Sequence, residues 1–315
     1  MSPEASTNGT LAPRVSVVVP TVDRVELLER TLRGLAAQDG VDFEAIVVHD
    51  GDAGIVALLE EWQDRLPLRP LQIAERGAVP KRNAGWRAGR APIIAFTDDD
   101  CEPAPGWLKA SVAAFDDGDP GLDLVQGRVD PHPEDADVRG VFKRTIRVNE
   151  HYEGYPNANL VYRKSALERV NGFDDAFWGA GEDSDLAHRV IESGGGVVYV
   201  DEALVWHAVR TVTFVNHLKS LPRWANASLT MKRHPQLRPL VPYRIFWKQS
   251  HITGSLALVG ILLLPFTRKA IVLVLPHFAW RMKSGARSGA QLAVTDIAEV
   301  AVTVAGSIRY KTFFL

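Results

Sequence analysis

Cysteine is nearly missing: Cys101 is the only one in 315 residues, so no disulfide can form within the chain, which suits a reducing compartment. Charge of one sign is missing too. With Lys+Arg 36 against Asp+Glu 38 the net charge is -2, which leaves no general field for a polyanion and sets nucleic acid aside as a partner. The glycines of "AVPKRNAGWRAG" form neither a G-x-G-x-x-G fingerprint nor a G-x-x-x-x-G-K-[ST] loop, which weakens dinucleotide and P-loop readings. The start, "MSPEASTNGTLAPR", lacks an apolar core of signal-peptide length; residues 1–13 read as a flexible lead, and the N-terminal domain is not expected to be exported. No apolar run reaches the roughly 20 residues that spanning a bilayer takes. Internal repeats and low-complexity segments are also lacking.

What is present is a core. At 46% hydrophobic, the chain has enough apolar material for one large domain or a domain with appendages. Val15 to Val19 is a β-branched run closed by Pro20, and Val25 to Ala37 repeats Leu27, Leu28, Leu32 and Leu35 at helical spacing. The cycle returns with a strand over Phe43 to Val48 and a helix over Ile55 to Leu66. A strand over Leu71 to Ala74, a helix over Pro80 to Arg87 and a strand over Pro92 to Thr97 follow. Short apolar strands alternating with amphipathic helices predict a mostly parallel, Rossmann-like α/β sheet covered on both faces. Ligands of such sheets bind outside the carboxyl ends of the strands, where Asp50 and the Asp98-Asp99-Asp100 run stand. After about residue 130 the pattern loosens. It resumes with a strand over Leu160 to Tyr162, helices over Ser165 to Val170 and Asp183 to Ile191, and a strand over Val197 to Val200.

Three adjacent carboxylates repel one another, so each needs a cation, a donor or open water. A solvated acidic turn satisfies that need. So does a hard divalent cation: Mg²⁺ and Mn²⁺ favour carboxylate oxygens, keep several waters and usually take one or two carboxylates plus substrate phosphates. His207 in "LVWH" could complete such a shell, or be a packed histidine. Glu182-Asp183, at the start of a helix, reads either as a cap and dipole partner or as a carboxylate placed to take a proton from an attacking hydroxyl. Asp185 reads as solvated or salt-bridged. Arg82-Asn83, also at a helix start, can meet a phosphate.

The last quarter is different. "ITGSLALVGILLL" (252–264) and "AIVLVLPHFAW" (270–280) are apolar but too short to cross a bilayer singly, and one pass through both would drag Arg268 and Lys269 inward. A shallow hairpin over 252–280 fits better, with Arg281, Lys283 and Arg287 able to meet anionic headgroups; a soluble helical cap is the alternative. Asp296 to Ile308 reads as a further amphipathic helix.

Taken in order, "VSVVVPTVDR", "VVHDG", "RNAG", "FTDDD", "VNGFDDAFWGAGEDSDLAHRV" and "VWH" resemble the family 2 glycosyltransferases over about residues 14–210. The resemblance implies a glycosyltransferase A-type domain (14–215) ahead of a C-terminal helical, membrane-associated region (216–315). It implies a nucleoside-diphosphate-sugar donor (UDP-sugar favoured, dTDP- or GDP-sugar as alternatives), Mn²⁺ or Mg²⁺, and inversion at the anomeric carbon. Matched residue by residue, Pro20, Thr21 and Asp50 line the nucleotide pocket, and Arg82, with Asn83, lies near the diphosphate. Asp98 is directed to the ribose and metal, and Asp99 lies beside the donor as the replaceable member of the run. Asp100 and His207 are metal ligands, Asp183 is the catalytic base, and Glu182 is its neighbour. The sequence departs at His49, where many members carry a first Asp. Asn157, Asn159, Trp178 and Tyr152 are candidate sugar or acceptor contacts. The expected acceptor is a glycan or a lipid-linked hydroxyl at the cytoplasmic face of the cell membrane. A nucleotidyltransferase-like enzyme and a non-catalytic scaffold that keeps the fold are the competing readings. The first lacks a Gly-rich basic loop after the first strand, and the second has no reason to keep the acidic positions.

Overall fold

The computed structural model describes residues 12–117 and 119–315, so nearly all of the expected N-terminal lead lies outside the described residues. Strand β1 (Val15–Pro20) is buried along its whole length. Val15, Val17 and Val19 face one apolar layer and Val18 the other, which is why the strand reads as an unbroken valine run rather than an alternation. Helices α1 (Val25–Ala36) and α2 (Ala53–Trp62) cover the first face with Leu28, Leu32, Leu35, Ile55, Leu59 and Trp62. Helix α3 (Ala78–Ala88) covers the other with Val79 and Trp86. Strands β2 (Phe43–His49), β3 (Leu68–Gln72) and β4 (Ile93–Phe96) complete the parallel half.

The remaining sheet strands are β5 (Cys101–Pro103), β6 (Leu122–Pro131), β8 (Leu160–Arg163) and β9 (Gly196–His207), with helix α4 (Trp107–Asp116) between β5 and β6. The sheet has eight strands in the order β3-β2-β1-β4-β8-β6-β9-β5. It is mostly parallel; β8 runs antiparallel to β4 and β6, and β5 antiparallel to β9. The chain builds outward from β1 through β2 to β3 and then returns to β1's other side with β4. That reversal opens a crevice at the carboxyl ends of β1 and β4, the place where such sheets bind ligands. β9 runs well past the expected Val200 because its parallel pairing with β6 continues through a bulge at Gly127/Arg128. Its end pairs with β5, and the register Cys101↔His207 brings His207 beside the acidic run. A two-stranded ribbon, β7 (Lys143–Arg144) with β10 (Arg210–Thr211), lies outside the sheet.

Helices α5 (Lys164–Arg169) and α6 (Glu182–Glu192) join the second layer. After β10 the chain is helical: α7 (Phe214–Ser220), α8 (Asn226–Arg233), α9 (Gln249–Leu263), α10 (Ile271–Arg281) and α11 (Ala286–Tyr310). The α9–α10 hairpin matches the apolar 252–280 segment, and its helices meet so closely that a Cβ on Gly260 would stand 2.8 Å from Val274. α11 starts ten residues before the expected Asp296 and is the one helix among the described residues long and apolar enough to cross a membrane. It also carries two buried acids. Arg281 Nε donates to Asp296 Oδ2 at 2.5 Å, and Lys248 and His251 meet Glu299 at 2.7 and 3.2 Å. The outer surface of the hairpin is apolar: Leu256, Leu262, Val272 and Leu275 are exposed, and Phe266 at its tip is 84% exposed.

Candidate active site

The acidic run leaves β4 at the crevice, and each carboxylate meets a different partner. Asp98 Oδ1 accepts from Arg82 at 2.6 Å. Asp99 is wholly buried, accepts from Thr21 Oγ1 at 2.8 Å and pairs with Arg24. Burial, only partly offset by Arg24, pushes its carboxyl up to about 6. Asp99, expected beside the donor as the replaceable member of the run, is thus an anchor between the ends of β4 and β1. Asp100 Oδ2 accepts from Arg24 at 2.7 Å and from Arg210 at 2.6 Å, while Oδ1 lies 3.7 Å from His207 Nε2. Burial opposes ionisation of Asp100, yet His207, Arg24 and Arg210 together hold it below the ordinary carboxylate range.

Arg82, fully buried on α3, joins this run to the second acidic motif: its other nitrogen donates to Glu182 Oε1 at 3.0 Å. Glu182 and Asp183 open α6 because Gly181 enters the helix at φ +85, where a side chain is strained and a Cβ would stand 2.7 Å from Thr230 Oγ1. Asp183 is half-buried, and among the described residues its only hydrogen bond is from Ser184 N at 2.9 Å. Desolvation and the adjacent Glu182 push its carboxyl up to about 7, against the pull of Arg82. Such a group is half ionised near neutrality, the condition that suits proton abstraction. Asp185, two residues on, is buried and salt-bridged. It accepts from Arg189, Arg233 and His234, and despite its burial these partners bring it down to about 2. This locks α6 to α8 and fixes the helix that carries Asp183.

The donor set fits a divalent cation. Ligand atoms of Asp100, Cys101 and His207 lie within 4.8 Å of one another. His207 Nδ1 donates to the Ala208 carbonyl at 2.7 Å, which orients the ring with Nε2 toward Asp100. Cys101 is a poor third ligand because burial raises its thiol well above the usual range. Asp98, expected as a second metal carboxylate, stands outside this group and faces Arg82.

An open cleft of about 840 Å³ lies over the ends of β1, β2 and β3, lined by residues including Val22, Asp23, Asp50, Gly51 and Arg76. Asp50 is thus in the cleft, 3.5 Å from Lys81, whose ammonium also donates to the Thr21 carbonyl. Pro20 and Thr21 are buried at the end of β1 and, unlike Asp50, are not among the residues that line this cleft. His49, the departure from the family pattern, is buried and braces the turn by accepting from Gly51 N at 3.2 Å. Asp52 caps α2.

The other candidates separate. Asn83 is spent on structure, donating to the Phe173 carbonyl and accepting from Phe173 N and Trp86. Asn159 likewise meets Trp107, Arg128 and Ala203. Asn157 is 2% exposed with neither amide atom paired. Trp178 is 46% exposed. Tyr152 is more than half exposed, and its hydroxyl is raised by partial desolvation and by Asp183's charge, so it borders the same cluster. Sequence reasoning missed Arg24, Lys81 and Arg210. The signal lay in or beside the motifs: Arg24 in "PTVDR", Lys81 in "PKRNAG" and Arg210 in "WHAVR".

Comparisons with known proteins bear on the fold and the family. The fold aligns with the mannosyltransferase PcManGT from Pyrobaculum calidifontis in complex with GDP-Man and Mn²⁺ at TM-score 0.60 and 18% identity, over 96% of this chain and 88% of that one. It aligns with S. aureus TarS 1-349 in complex with UDP-GlcNAc at TM-score 0.54 and 15% identity, over 96% and 93%. The architecture is therefore of the glycosyltransferase A type. Residues 16–171 match the family described as glycosyl transferase family 2, and residues 140–217 match the N-terminal domain of galactosyltransferase. The chain belongs to the family 2 glycosyltransferases. It is 27% identical to validoxylamine A glucosyltransferase of Streptomyces hygroscopicus subsp. jinggangensis over 75% of this chain and 63% of that protein. It is 31% identical to pre-mycofactocin glycosyltransferase of Mycobacterium tuberculosis over 62% and 43%. The chain thus spans less than two thirds of these relatives' lengths.

Proposed function

We propose that the chain transfers a sugar from a nucleoside-diphosphate-sugar donor to an acceptor hydroxyl with inversion at the anomeric carbon. One observation carries the reading. The buried Arg82 guanidinium joins Asp98 and Glu182, so that the acidic run and the 182–183 pair, far apart in sequence, form one site with a carboxyl poised near neutrality.

In this reading Asp183 takes the proton of the acceptor hydroxyl as that oxygen attacks the anomeric carbon opposite the departing diphosphate. Arg82 holds Asp98 toward the donor, and Asp50 and Lys81 border the nucleotide cleft. Asp100 and His207 would hold Mn²⁺ or Mg²⁺, which supplies Lewis-acid neutralisation of the leaving group when bound. One displacement inverts the configuration. Asn157, with an unpaired buried amide, is the best suited of the candidate sugar contacts, because a pyranose hydroxyl pair would satisfy it. The division at about residue 215 separates the transferase domain from a region whose exposed apolar hairpin, flanked by Arg268, Lys269, Lys283 and Arg287, suits a membrane surface. A lipid-linked or polysaccharide acceptor at that surface follows from the same feature.

The test is transfer from UDP-, dTDP- and GDP-sugars with Mn²⁺. Chelation is expected to abolish it and Mn²⁺ or Mg²⁺ to restore it, with an inverted anomer by NMR. Full activity in EDTA removes Asp100 and His207 from the metal role, and a retained anomer removes the single displacement.

A further inference from the structure

Two kinds of arginine serve the acidic run. Arg82 has a side chain 6% exposed and both ends committed, so it is a fixed part of the frame. Arg24 and Arg210 are different. Their side chains are 33% and 37% exposed, and both converge on one oxygen, Asp100 Oδ2, from elements unrelated in sequence. Arg24 leads into α1, and Arg210 lies on the short β10 ribbon strand just beyond His207.

The placement has an electrostatic consequence. Asp98, Asp99 and Asp100 already face Arg82, Arg24 and Arg210, so the carboxylates of the run are matched by guanidiniums before any ligand enters. A divalent cation arriving alone beside Asp100 and His207 meets two positive charges already on its carboxylate, and the repulsion is strong at such range in a partly buried site. A diphosphate arriving with the cation changes the sign of the problem. Its oxygens accept hydrogen bonds from guanidinium forks in paired geometry, so both arginines have somewhere to go. Arg210 has a further reason to move, since it stands directly across the ribbon from Arg144, a like charge.

We propose that Arg24 and Arg210 act as an internal stand-in for the metal. They hold the Asp100 carboxylate in place while the donor is absent, oppose binding of the cation alone, and pass to the diphosphate oxygens when cation and nucleotide enter together. The metal site is therefore completed by the donor, and the two arginines are positioning residues that set the order of binding. This rests on the reading of Asp100 and His207 as metal ligands.

The experiment is direct Mn²⁺ binding to the full chain, read from the EPR signal of free Mn²⁺ and by calorimetry, with and without saturating UDP and, in a parallel arm, GDP. Wild type is expected to bind Mn²⁺ weakly alone and much more tightly with a nucleoside diphosphate. Arg210→Gln, at a partly exposed position, is expected to bind Mn²⁺ alone about tenfold more tightly than wild type and to lose most of the gain from nucleotide. Arg210→Lys, which keeps the charge, is expected to keep the wild-type order. Asp100→Asn is expected to lose Mn²⁺ under both conditions. If Arg210→Gln and wild type bind Mn²⁺ equally without nucleotide while Asp100→Asn loses it, the stand-in role is wrong and the metal site stands. If no form binds Mn²⁺ in any arm, both the stand-in and the metal assignment are wrong.

Discussion

The sheet and the α9–α11 unit are built on opposite rules. In the sheet domain the interior is mainly valine, leucine and tryptophan, and its buried charges gather chiefly at the crevice where β1 and β4 end, with Glu44, Asp123 and Asp185 paired to arginines elsewhere. In the C-terminal unit charge is inside, with Asp296 and Glu299 buried against Arg281, Lys248 and His251, while leucine, valine and phenylalanine face outward. Exposed apolar surface of that extent gains nothing from water, which is the basis for proposing that it meets lipid or another apolar phase. The difference teaches that one chain carries two kinds of charge. At the sheet mouth carboxylates are poised to act, and in the helices they are fastened.

The largest expected effect separates those two uses. Asp183→Asn should lower turnover by about 10³-fold, within the range removed with a general base, while nucleotide affinity changes little. Calorimetry with UDP and a transfer assay decide it. Next comes the fastened charge. Asp296→Ala leaves the partly buried Arg281 without its carboxylate, at a cost of about 1–3 kcal/mol measured by denaturant unfolding. A cost near zero would erase the contrast, because it would make α11's acids as replaceable as surface ones.

The same contrast decides what could be read from the sequence. The strand and helix cycles of the parallel half were legible because burial on both faces writes continuous valine runs such as Val15 to Val19. β6 was not, since "LDLVQGRVDP" mixes Asp123, Gln126, Arg128 and Asp130 into a strand defined by its neighbours, and three-residue β5 is too short to show a period. Acidic site residues stood out because adjacent carboxylates are costly and so conspicuous. Arg24 and Arg210 did not, because an arginine looks the same in sequence whether it faces water or Asp100; only the pairing of β5 with β9 brings the two motifs together. The hairpin was visible as an apolar run, while the burial of Asp296 and Glu299 beneath it was not.

A smaller effect sharpens the comparison through pH. Asp183 is raised to about 7, so its ionised form costs stability that is present below the ordinary aspartate range and lost as pH rises through 7. Asp185, lowered to about 2, works the other way: its contribution is present above about pH 4 and lost as pH falls toward 2. Transfer should therefore climb with pH and level off above about 7, while the link between α6 and α8 weakens only in acid. An acid-limb midpoint near 4 in the rate profile would mean that Asp183 is not the base.

The smallest effect on the folded protein in water should come from the apolar skin. Leu262→Glu with Phe266→Glu changes two exposed side chains at the end of the hairpin and leaves the buried ion pairs intact. Surface substitutions of this kind are usually within about 0.5 kcal/mol, so the melting temperature should move little. Sedimentation with vesicles containing anionic lipid should nonetheless be lost, since charged groups cannot enter the acyl boundary without a large penalty. The paired control is in the sheet: Leu32→Glu, inside the first layer, should unfold the protein. If the hairpin variant unfolds as readily as the sheet variant, the hairpin surface is covered within the folded protein, and the C-terminal unit follows the same rule as the sheet after all.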